Sequence, residues 1–265
     1  MIDLAELLTL ETIDADIYRA NAVFDERYDL YGGQVAAQAL LAAGMTAPDG
    51  RLPHSLHGYF LRAGSAGRPT VFKVVNDRDG RSFSARRVVA LQRGEVIFNA
   101  AVSFQAPPTS AMEEQLDPAP AVPSAEDCGP LELHRLLSFE GRRVPQPEYH
   151  ARSDGSFWPT RFWARCTDPG LSNDPLVDAA VLTYLSDIYS GLSPFAKNGW
   201  IPGSSLDHAI WFHRPQVTGD WLLSEYRPIG VAGGRGLYTG CLYDTSGRVV
   251  ASIAQETLFR RKREA

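Results

Sequence analysis

The sequence predicts an α+β protein built from two repeated units, each with one helix followed by an antiparallel sheet. The first observation is a predicted helix that is apolar on every side, which needs a sheet wrapped around it. The second is a series of strand-like stretches after each predicted helix, at intervals of about 12 residues in the first half. The third is a set of landmarks in the first half that recur at nearly one offset in the second.

The first unit begins with a short amphipathic helix and continues with the long apolar one. The segment LAELL has leucines at helical spacing. Gly32 and Gly33 open the run GGQVAAQALLAAGMTA, whose small and apolar residues predict a helix buried all round. Four predicted strands follow: SLHGYFLRA, PTVFKVVNDRDG, SFSARRVVALQRG and EVIFNAAVSFQ. The last two are expected to form a hairpin through Gln92-Arg93-Gly94.

A proline-rich segment separates the two units. Prolines recur between Ala106 and Pro147, with few β-branched residues, so this stretch is expected to cross the surface as a connection. The predicted division is therefore an N-terminal unit at 1–106, a connection at 107–156 and a C-terminal unit at 157–265.

The second unit repeats the order of the first. PLVDAAVLTYLSDIYS predicts a helix with Asp174 as its N-cap and Pro175 as its first residue. The strands SLDHAIWFHRP, DWLLSEYRPIG, RGLYTGCLYDTSG and RVVASIAQETLFR follow, with a tight turn predicted at Ser246-Gly247. The landmarks that recur are YFLR at 59–62 with WFHR at 211–214, Gly80-Arg81 with Gly234-Arg235, and Gly94 with Gly247, at offsets of 152, 154 and 153 residues. This spacing indicates duplication of one helix-plus-sheet unit.

Charge and composition exclude several classes of protein. The 265 residues carry a net charge of -5, and the basic residues are scattered along the sequence, which argues against nucleic acid but leaves a small polyanionic partner open. Three widely spaced cysteines without a ligand pattern indicate reduced thiols in a cytoplasmic protein. An acidic N-terminus and the lack of an 18-residue apolar run predict neither a signal peptide nor membrane insertion.

The motifs of several enzyme classes are missing from the sequence. It contains no GxSxG, Walker loop, HExxH or GxGxxG after a strand. The pairs His54/His57 and His208/His213 lie on predicted strands at spacings that send the two side chains to opposite faces. We therefore expect no metal site and no cofactor.

Polar residues inside apolar elements are the remaining candidates for chemistry. Asp187 lies at the C-terminal end of the second helix, where the helix dipole should raise its pKa; it is either a general base or a solvated helix-end acid. Gln255 is either a satisfied core amide or a residue that orients substrate. Ser205 precedes a strand, and the ordinary interpretation is a hydroxyl group at the start of that strand. Arg86 and Arg87 are adjacent on a strand, so at most one of them faces a pocket.

Five motifs in order resemble one known family. YGGQVAAQALLAA, HSLHGYFLRAG, DGRSFSARRVVALQ, SLDHAIWFHRP and VASIAQE together look like the acyl-CoA thioesterase II family, over about Phe24 to Phe259. The resemblance implies a double hot-dog fold, in which each unit is a long helix wrapped by a curved antiparallel sheet. It also implies hydrolysis of fatty acyl-CoA to free fatty acid and coenzyme A, with acyl-CoA as the partner and no cofactor.

The resemblance also assigns the site. The family activates water with an Asp, a Thr and a Gln, and these fall on Asp187, Ser205 and Gln255. Serine at 205 keeps the hydroxyl but lacks the methyl group that restricts the rotamer of threonine. Gly33 is a candidate for an oxyanion-stabilising backbone N–H at a helix N-terminus, with a simple helix-entry turn at Gly32 and Gly33 as the other interpretation.

Other functions are kept open. A hot-dog enoyl-CoA hydratase would place an Asp and a His on one loop after the helix, and residues 187–192 contain no His. A non-catalytic acyl-CoA binding protein is the second alternative. A histidine base at His54 or His57 is a third, without a nearby acid to support it. Exposed sheet edges favour association into a homo-oligomer.

Overall fold

The computed structural model describes residues 3–24, 29–134, 136–152, 158–171 and 173–262. Its helices are α1 (Leu4–Leu8), α2 (Gly32–Gly44) and α3 (Pro175–Ser186). Its strands are β1 (Leu10–Asp14), β2 (Ile17–Ala20), β3 (Leu52–Phe60), β4 (Thr70–Asp79), β5 (Phe83–Gln92), β6 (Glu95–Gln105), β7 (Pro130–Leu131), β8 (Phe139–Arg143), β9 (Arg161–Cys166), β10 (Trp200–Ser205), β11 (Asp207–Phe212), β12 (Leu222–Ala232), β13 (Arg235–Tyr243) and β14 (Val249–Arg261).

The two halves of the sheet have the same strand order. The path through the described strands is β1-β2-β4-β5-β6-β3-β11-β14-β13-β12-β9-β8-β7, with antiparallel pairing throughout. After α2 the order β3-β6-β5-β4 appears, and after α3 the order β11-β14-β13-β12 appears. The halves join where β3 pairs with β11. This arrangement is the expected double hot-dog fold, with one helix and one antiparallel sheet in each half.

The landmarks of the sequence repeat occupy equivalent turns. Gly94 and Gly247 lie between the third and fourth strands of their halves, at φ of 81° and 84°, a conformation that glycine adopts without strain. The first turn is the expected hairpin, with Arg93 and Gly94 as its two loop residues and Gln92 as the last residue of β5. The second is a five-residue loop at 244–248, in which the Asp244 carboxylate accepts from the backbone N–H groups of Ser246 and Arg248. The tight turn predicted at Ser246-Gly247 is therefore wrong in length.

The two central helices lie side by side in opposite directions. The Tyr31 hydroxyl, just before α2, donates to the Tyr184 carbonyl near the end of α3, 2.7 Å away. At the other end, Gly44 of α2 lies against Leu176 in the first turn of α3. Both helices are enclosed by the sheet, and residues 33–43 of α2 are buried on every face, as the apolar run predicts. The N-terminus of α2 thus meets the C-terminus of α3.

The proline-rich connection contributes to the second half of the sheet. Within it, β7 pairs with β8, and β8 pairs with β9. From the sequence no strand was predicted in this segment, nor at β1, β2, β9 or β10. The division at 1–106, 107–156 and 157–265 stays a proposal, in which the middle segment supplies edge strands to the C-terminal unit.

A bulge lies within β10, shortly before β11 begins. Both strands pair with β14, and the register shifts between Pro202 and Ser205. Pro202 and Gly203 weaken the strand pattern, which is why the sequence analysis missed β10. A bulge changes the direction of the side chains beside it. The residue at the end of this bulge, Ser205, lies next to the C-terminal end of α3.

Candidate active site

A cavity of about 600 Å³ lies where the two units meet. The N-terminus of α2 and the loop after β3 form one wall. The turn after α3, β10 and the inner face of β14 form the other. The lining comprises Asp29–Gly32, Val35, Phe60–Gly64, Ile97, Trp158, Asp187–Ser190, Pro202–Leu206, Tyr238, Gln255 and Thr257. All three predicted catalytic residues are among them.

Asp187 lies between two helix ends. It is the C-cap of α3 and is half-buried. The Cα of Gly32, the first residue of α2, lies so close that any side chain there would overlap the Asp187 Oδ2 atom. The positive N-terminal end of α2 therefore acts on a carboxylate that the negative end of α3 alone would disfavour. From the sequence, only the effect of the α3 dipole on Asp187 was predicted.

Gln255 connects the acid to the hydroxyl. Its side chain is 2 % exposed, on the inner face of β14. The Nε2 group donates to Asp187 Oδ1 at 2.8 Å and to Ser205 Oγ at 2.5 Å. Because Ser205 Oγ accepts this hydrogen bond, its own hydrogen is available to donate elsewhere. The three predicted residues thus form one hydrogen-bonded group.

His208 fixes the orientation of the Gln255 amide, and the sequence analysis did not identify this role. The imidazole is fully buried on β11, with Nδ1 against Gln255 Oε1 and Nε2 2.8 Å from Ser186 Oγ. An ionised Asp187 only accepts hydrogen bonds, so Gln255 turns Nε2 to Asp187 and Oε1 to His208. His208 Nδ1 then carries a hydrogen and donates it. In the sequence, only a polar residue in the apolar strand DHAIWF signals this position.

Three buried tyrosines hold the C-terminal end of α3. Hydroxyl groups of Tyr31, Tyr226 and Tyr238 donate to the carbonyls of residues 184, 186 and 189, at 2.7, 3.3 and 3.4 Å. Helix ends leave such carbonyls without partners inside the helix. Burial first, and the charge of Asp187 second, raise the pKa of each tyrosine well above its ordinary value of 10.0. The phenols therefore remain hydrogen-bond donors at physiological pH.

Thr257 adds a further hydroxyl to the cavity wall. It pairs in register with Ser205 and lies on the same face of β14 as Gln255. Its buried Oγ1 makes no hydrogen bond within the part of the chain that the structure describes. A buried hydroxyl in this state is a site for a water molecule or a polar group of a ligand. The sequence analysis did not single it out.

Of the other candidates, Gly33 lies next to a residue of the cavity wall, and the rest lie away from the cavity. The Cα of Gly33 faces the Tyr184 carbonyl and the Tyr31 ring, while Gly32 lines the cavity. His54 contacts Ser103, and His57 packs on Trp211, so neither histidine lines the cavity. The adjacent residues Arg86 and Arg87 also do not line the cavity. Arg86 is buried against the end of α2, and Arg87 pairs with Asp77 on the surface.

Three further observations concern the described residues. Among them, no group of three His, Cys, Asp or Glu side chains is placed to hold a metal ion. Burial raises the pKa of the Cys166 thiol to about 11, which makes it a poor nucleophile at neutral pH. Over the same ranges, every helix is too short or too polar to cross a bilayer.

Comparison with known proteins agrees with the fold. Family models described as the acyl-CoA thioesterase N-terminal and C-terminal domains match residues 25–105 and 113–259. Acyl-CoA thioesterase 2 from Haemophilus influenzae is 32% identical, over 97% of both chains. Human acyl-coenzyme A thioesterase 8 is also 32% identical, over 97% of this chain and 88% of its own length.

A solved structure gives the same result in three dimensions. The acyl-CoA thioesterase II TesB2 from Mycobacterium marinum superposes with a TM-score of 0.80 at 35% identity, over 98% of both chains. Both halves of the chain are thus matched in sequence and in structure. The chain belongs to the acyl-CoA thioesterase II family, with the double hot-dog fold.

Proposed function

We propose that this protein hydrolyses the thioester of fatty acyl-CoA, giving free fatty acid and coenzyme A, with water activated by Asp187, Ser205 and Gln255. Membership of a thioesterase family supports the reaction class. The observation that carries the mechanism is the Gln255 amide, which donates to both Asp187 and Ser205 at the cavity wall.

The first step is attack by water. The Asp187 carboxylate takes a proton as the water oxygen bonds to the thioester carbon. Ser205 and Gln255 hold the water in line with that carbon, and such positioning lowers the barrier by removing orientational freedom before the reaction. Gln255 stays in place because its own oxygen is held by His208.

The second step is collapse of the tetrahedral intermediate. Its oxyanion lies at the N-terminus of α2, where the first N–H groups have no partner within the helix and the dipole favours negative charge. We assign the oxyanion contact to the backbone N–H groups of this first turn, that of Gly33 among them. The carbon–sulfur bond then breaks, and the coenzyme A thiolate takes up the proton that Asp187 received.

The apolar part of the cavity suits an acyl chain. The apolar lining lies beside the hydrogen-bonded group of Asp187, Ser205 and Gln255. It includes Val35, Phe60, Ile97 and Ile188. Binding sites of this kind combine apolar walls with a few placed polar groups. We propose that the acyl chain lies against these residues.

The alternatives make different products. Among the described residues that line the cavity there is no histidine, which disfavours the enoyl-CoA hydratase. A binding protein needs no hydrogen-bonded acid, hydroxyl and amide. The test is incubation of the purified protein with saturated acyl-CoA and a thiol-reactive dye, and separately with enoyl-CoA. We expect steady release of thiol from the saturated substrate. Hydration of enoyl-CoA without thiol release, or binding without any turnover, would contradict the proposal.

A further inference from the structure

A second cavity, of about 550 Å³, lies at the far end of β10 from Ser205. Its lining includes Lys197, Trp200, Arg235 and Phe259, together with the turn between β12 and β13. From Trp200 to Ser205 the strand spans roughly 15 Å, at about 3.3 Å per residue. Residues between these two ends of β10 line the first cavity, so the strand leads from one cavity to the other.

An exposed aromatic surface forms the floor of the second cavity. The rings of Trp200 and Phe259 stack nearly parallel, with an interplanar angle of 7° and centroids 6.4 Å apart. One face of the indole packs on Phe259, yet Trp200 remains 46% exposed. Such a surface offers a stacking platform for a planar heterocycle.

Cations surround this platform in a protein whose net charge is -5. Arg261 is paired with Trp200 across β10 and β14, so the two side chains share a face. A turn through Asn198 and Gly199, both at positive φ, places Lys197 opposite Trp200 with hydrogen bonds in both directions. Arg235 uses Nε for Glu256 and Nη1 for the Gly233 carbonyl, at 3.4 Å, so its Nη2 group is the one left to contact a ligand.

We propose that this second cavity binds the nucleotide end of coenzyme A, with adenine stacked on Trp200 and the phosphates held by Lys197, Arg235 and Arg261. The ligand is polyanionic and carries a purine, which matches the cations and the exposed ring. Its pantetheine arm runs along β10 and delivers the thioester to Ser205. The inference rests on the proposed function and names the second half of the same substrate site. The three cations are far apart in the sequence, so the scattered charge of the chain gave no sign of them.

The experiment compares substrates with and without the nucleotide. For Trp200→Ala and for Arg261→Ala, KM for acyl-CoA should rise about tenfold, as expected for loss of a stacking or phosphate contact, with kcat within about twofold. KM for the matching acyl-pantetheine should not change. Arg260→Ala is the matched control, because Arg260 is the neighbouring residue of β14 on the opposite face and is also exposed. It should behave as the natural protein.

Calorimetry with adenosine 3′,5′-bisphosphate tests binding without turnover. We expect the natural protein to bind it, and Trp200→Ala to bind it at least tenfold more weakly. Binding without any thioesterase activity would remove the proposed function and leave the nucleotide site in place. Three results would overturn the nucleotide site. The first is turnover with unchanged KM in Trp200→Ala, and the second is an equal change of KM for acyl-CoA and for acyl-pantetheine. The third is an equal change of KM in Arg260→Ala and Arg261→Ala.

Discussion

The two central helices end in different surroundings, although their units share one topology. After α2, the buried Arg86 guanidinium donates to the hydroxyl and the carbonyl of Thr46, at 2.8 and 2.9 Å, and pairs with Asp79. After α3, the corresponding space holds Asp187, Gln255 and the tyrosine hydroxyls. The space after α2 is filled by the Arg86 guanidinium, and the space after α3 opens on the cavity.

Equivalent strand positions show the same contrast. By the repeat of YFLR and WFHR, His208 corresponds to Leu56, and by the repeat of Gly94 and Gly247, Gln255 corresponds to Val102. Leu56 and Val102 are 0% and 2% exposed, in the apolar core. The N-terminal unit therefore contributes a helix N-terminus and an apolar wall, and the C-terminal unit contributes the acid, the hydroxyl and the amide. The two units thus have two such helix ends, and we propose that the end of α3 carries the chemistry.

Loss of the Ser205 hydroxyl should have the largest effect among the variants that test this difference between the two helix ends. Ser205→Ala should lower kcat roughly 10 to 1000-fold, because the water loses a positioning group. Ser205→Thr should retain or raise turnover, since threonine keeps the hydroxyl with a restricted rotamer. Steady-state thiol release from acyl-CoA measures both. An alanine variant as active as the natural protein would show that Ser205 does not position water.

A methyl group on Gly32 tests the contact between the two units. Gly32→Ala should lower kcat about 100-fold, because the new Cβ displaces the Asp187 carboxylate, and displacements near 1 Å cost about this much. Gly129→Ala is the control, since no atom lies within 4 Å of a Cβ built there. Both variants should be compared by thiol release and by thermal unfolding. Full activity in a folded Gly32→Ala protein would argue against the close approach of α2 to the acid.

Removal of the His208 imidazole tests the orientation of Gln255. His208→Leu should lower kcat about tenfold with little change in KM, as expected for one lost hydrogen bond to the amide. His208→Asn keeps an N–H donor near the position of Nδ1 and should recover part of the loss. The readout is the separation of kcat from KM in both variants. Equal kcat in the leucine and asparagine variants would mean that the imidazole only fills space.

Replacement of Arg86 should have the smallest effect on turnover. Arg86→Met should lower the free energy of unfolding by about 1–3 kcal/mol, since buried groups at Thr46 lose a charged donor. The ion pair with the half-exposed Asp79 adds little. Turnover of the folded variant should stay within about twofold of the natural protein. Denaturant unfolding and thiol release give the two numbers, and a large loss of turnover without loss of stability would place chemistry at this end too.

Local patterns predicted the parts of the fold that local physics determines. The apolar run at α2 and the Asp174-Pro175 start of α3 are confirmed, because burial and capping act over a few residues. Strands β1, β2 and β7 to β10 were missed, because most of them are short and residues such as Pro202 carry little pattern.

The site depended on contacts between distant residues. The family resemblance supplied Asp187, Ser205 and Gln255, and the fold brings them into one hydrogen-bonded group. His208 and Thr257 stayed unrecognised because a single polar residue in an apolar strand gives the same signal whether it is structural or functional. Which atoms it meets is set by the tertiary fold alone.

Replacement of Asp187 by Asn tests the central claim most directly. The amide keeps the shape of the carboxylate but cannot take a proton from water, so kcat should fall by about 100-fold or more. Calorimetry with a non-hydrolysable acyl-CoA analogue should show retained or slightly tighter binding, because one negative charge facing an anionic ligand is gone. Turnover of Asp187→Asn within about threefold of the natural protein, on several acyl lengths, would contradict the account and remove Asp187 as the base.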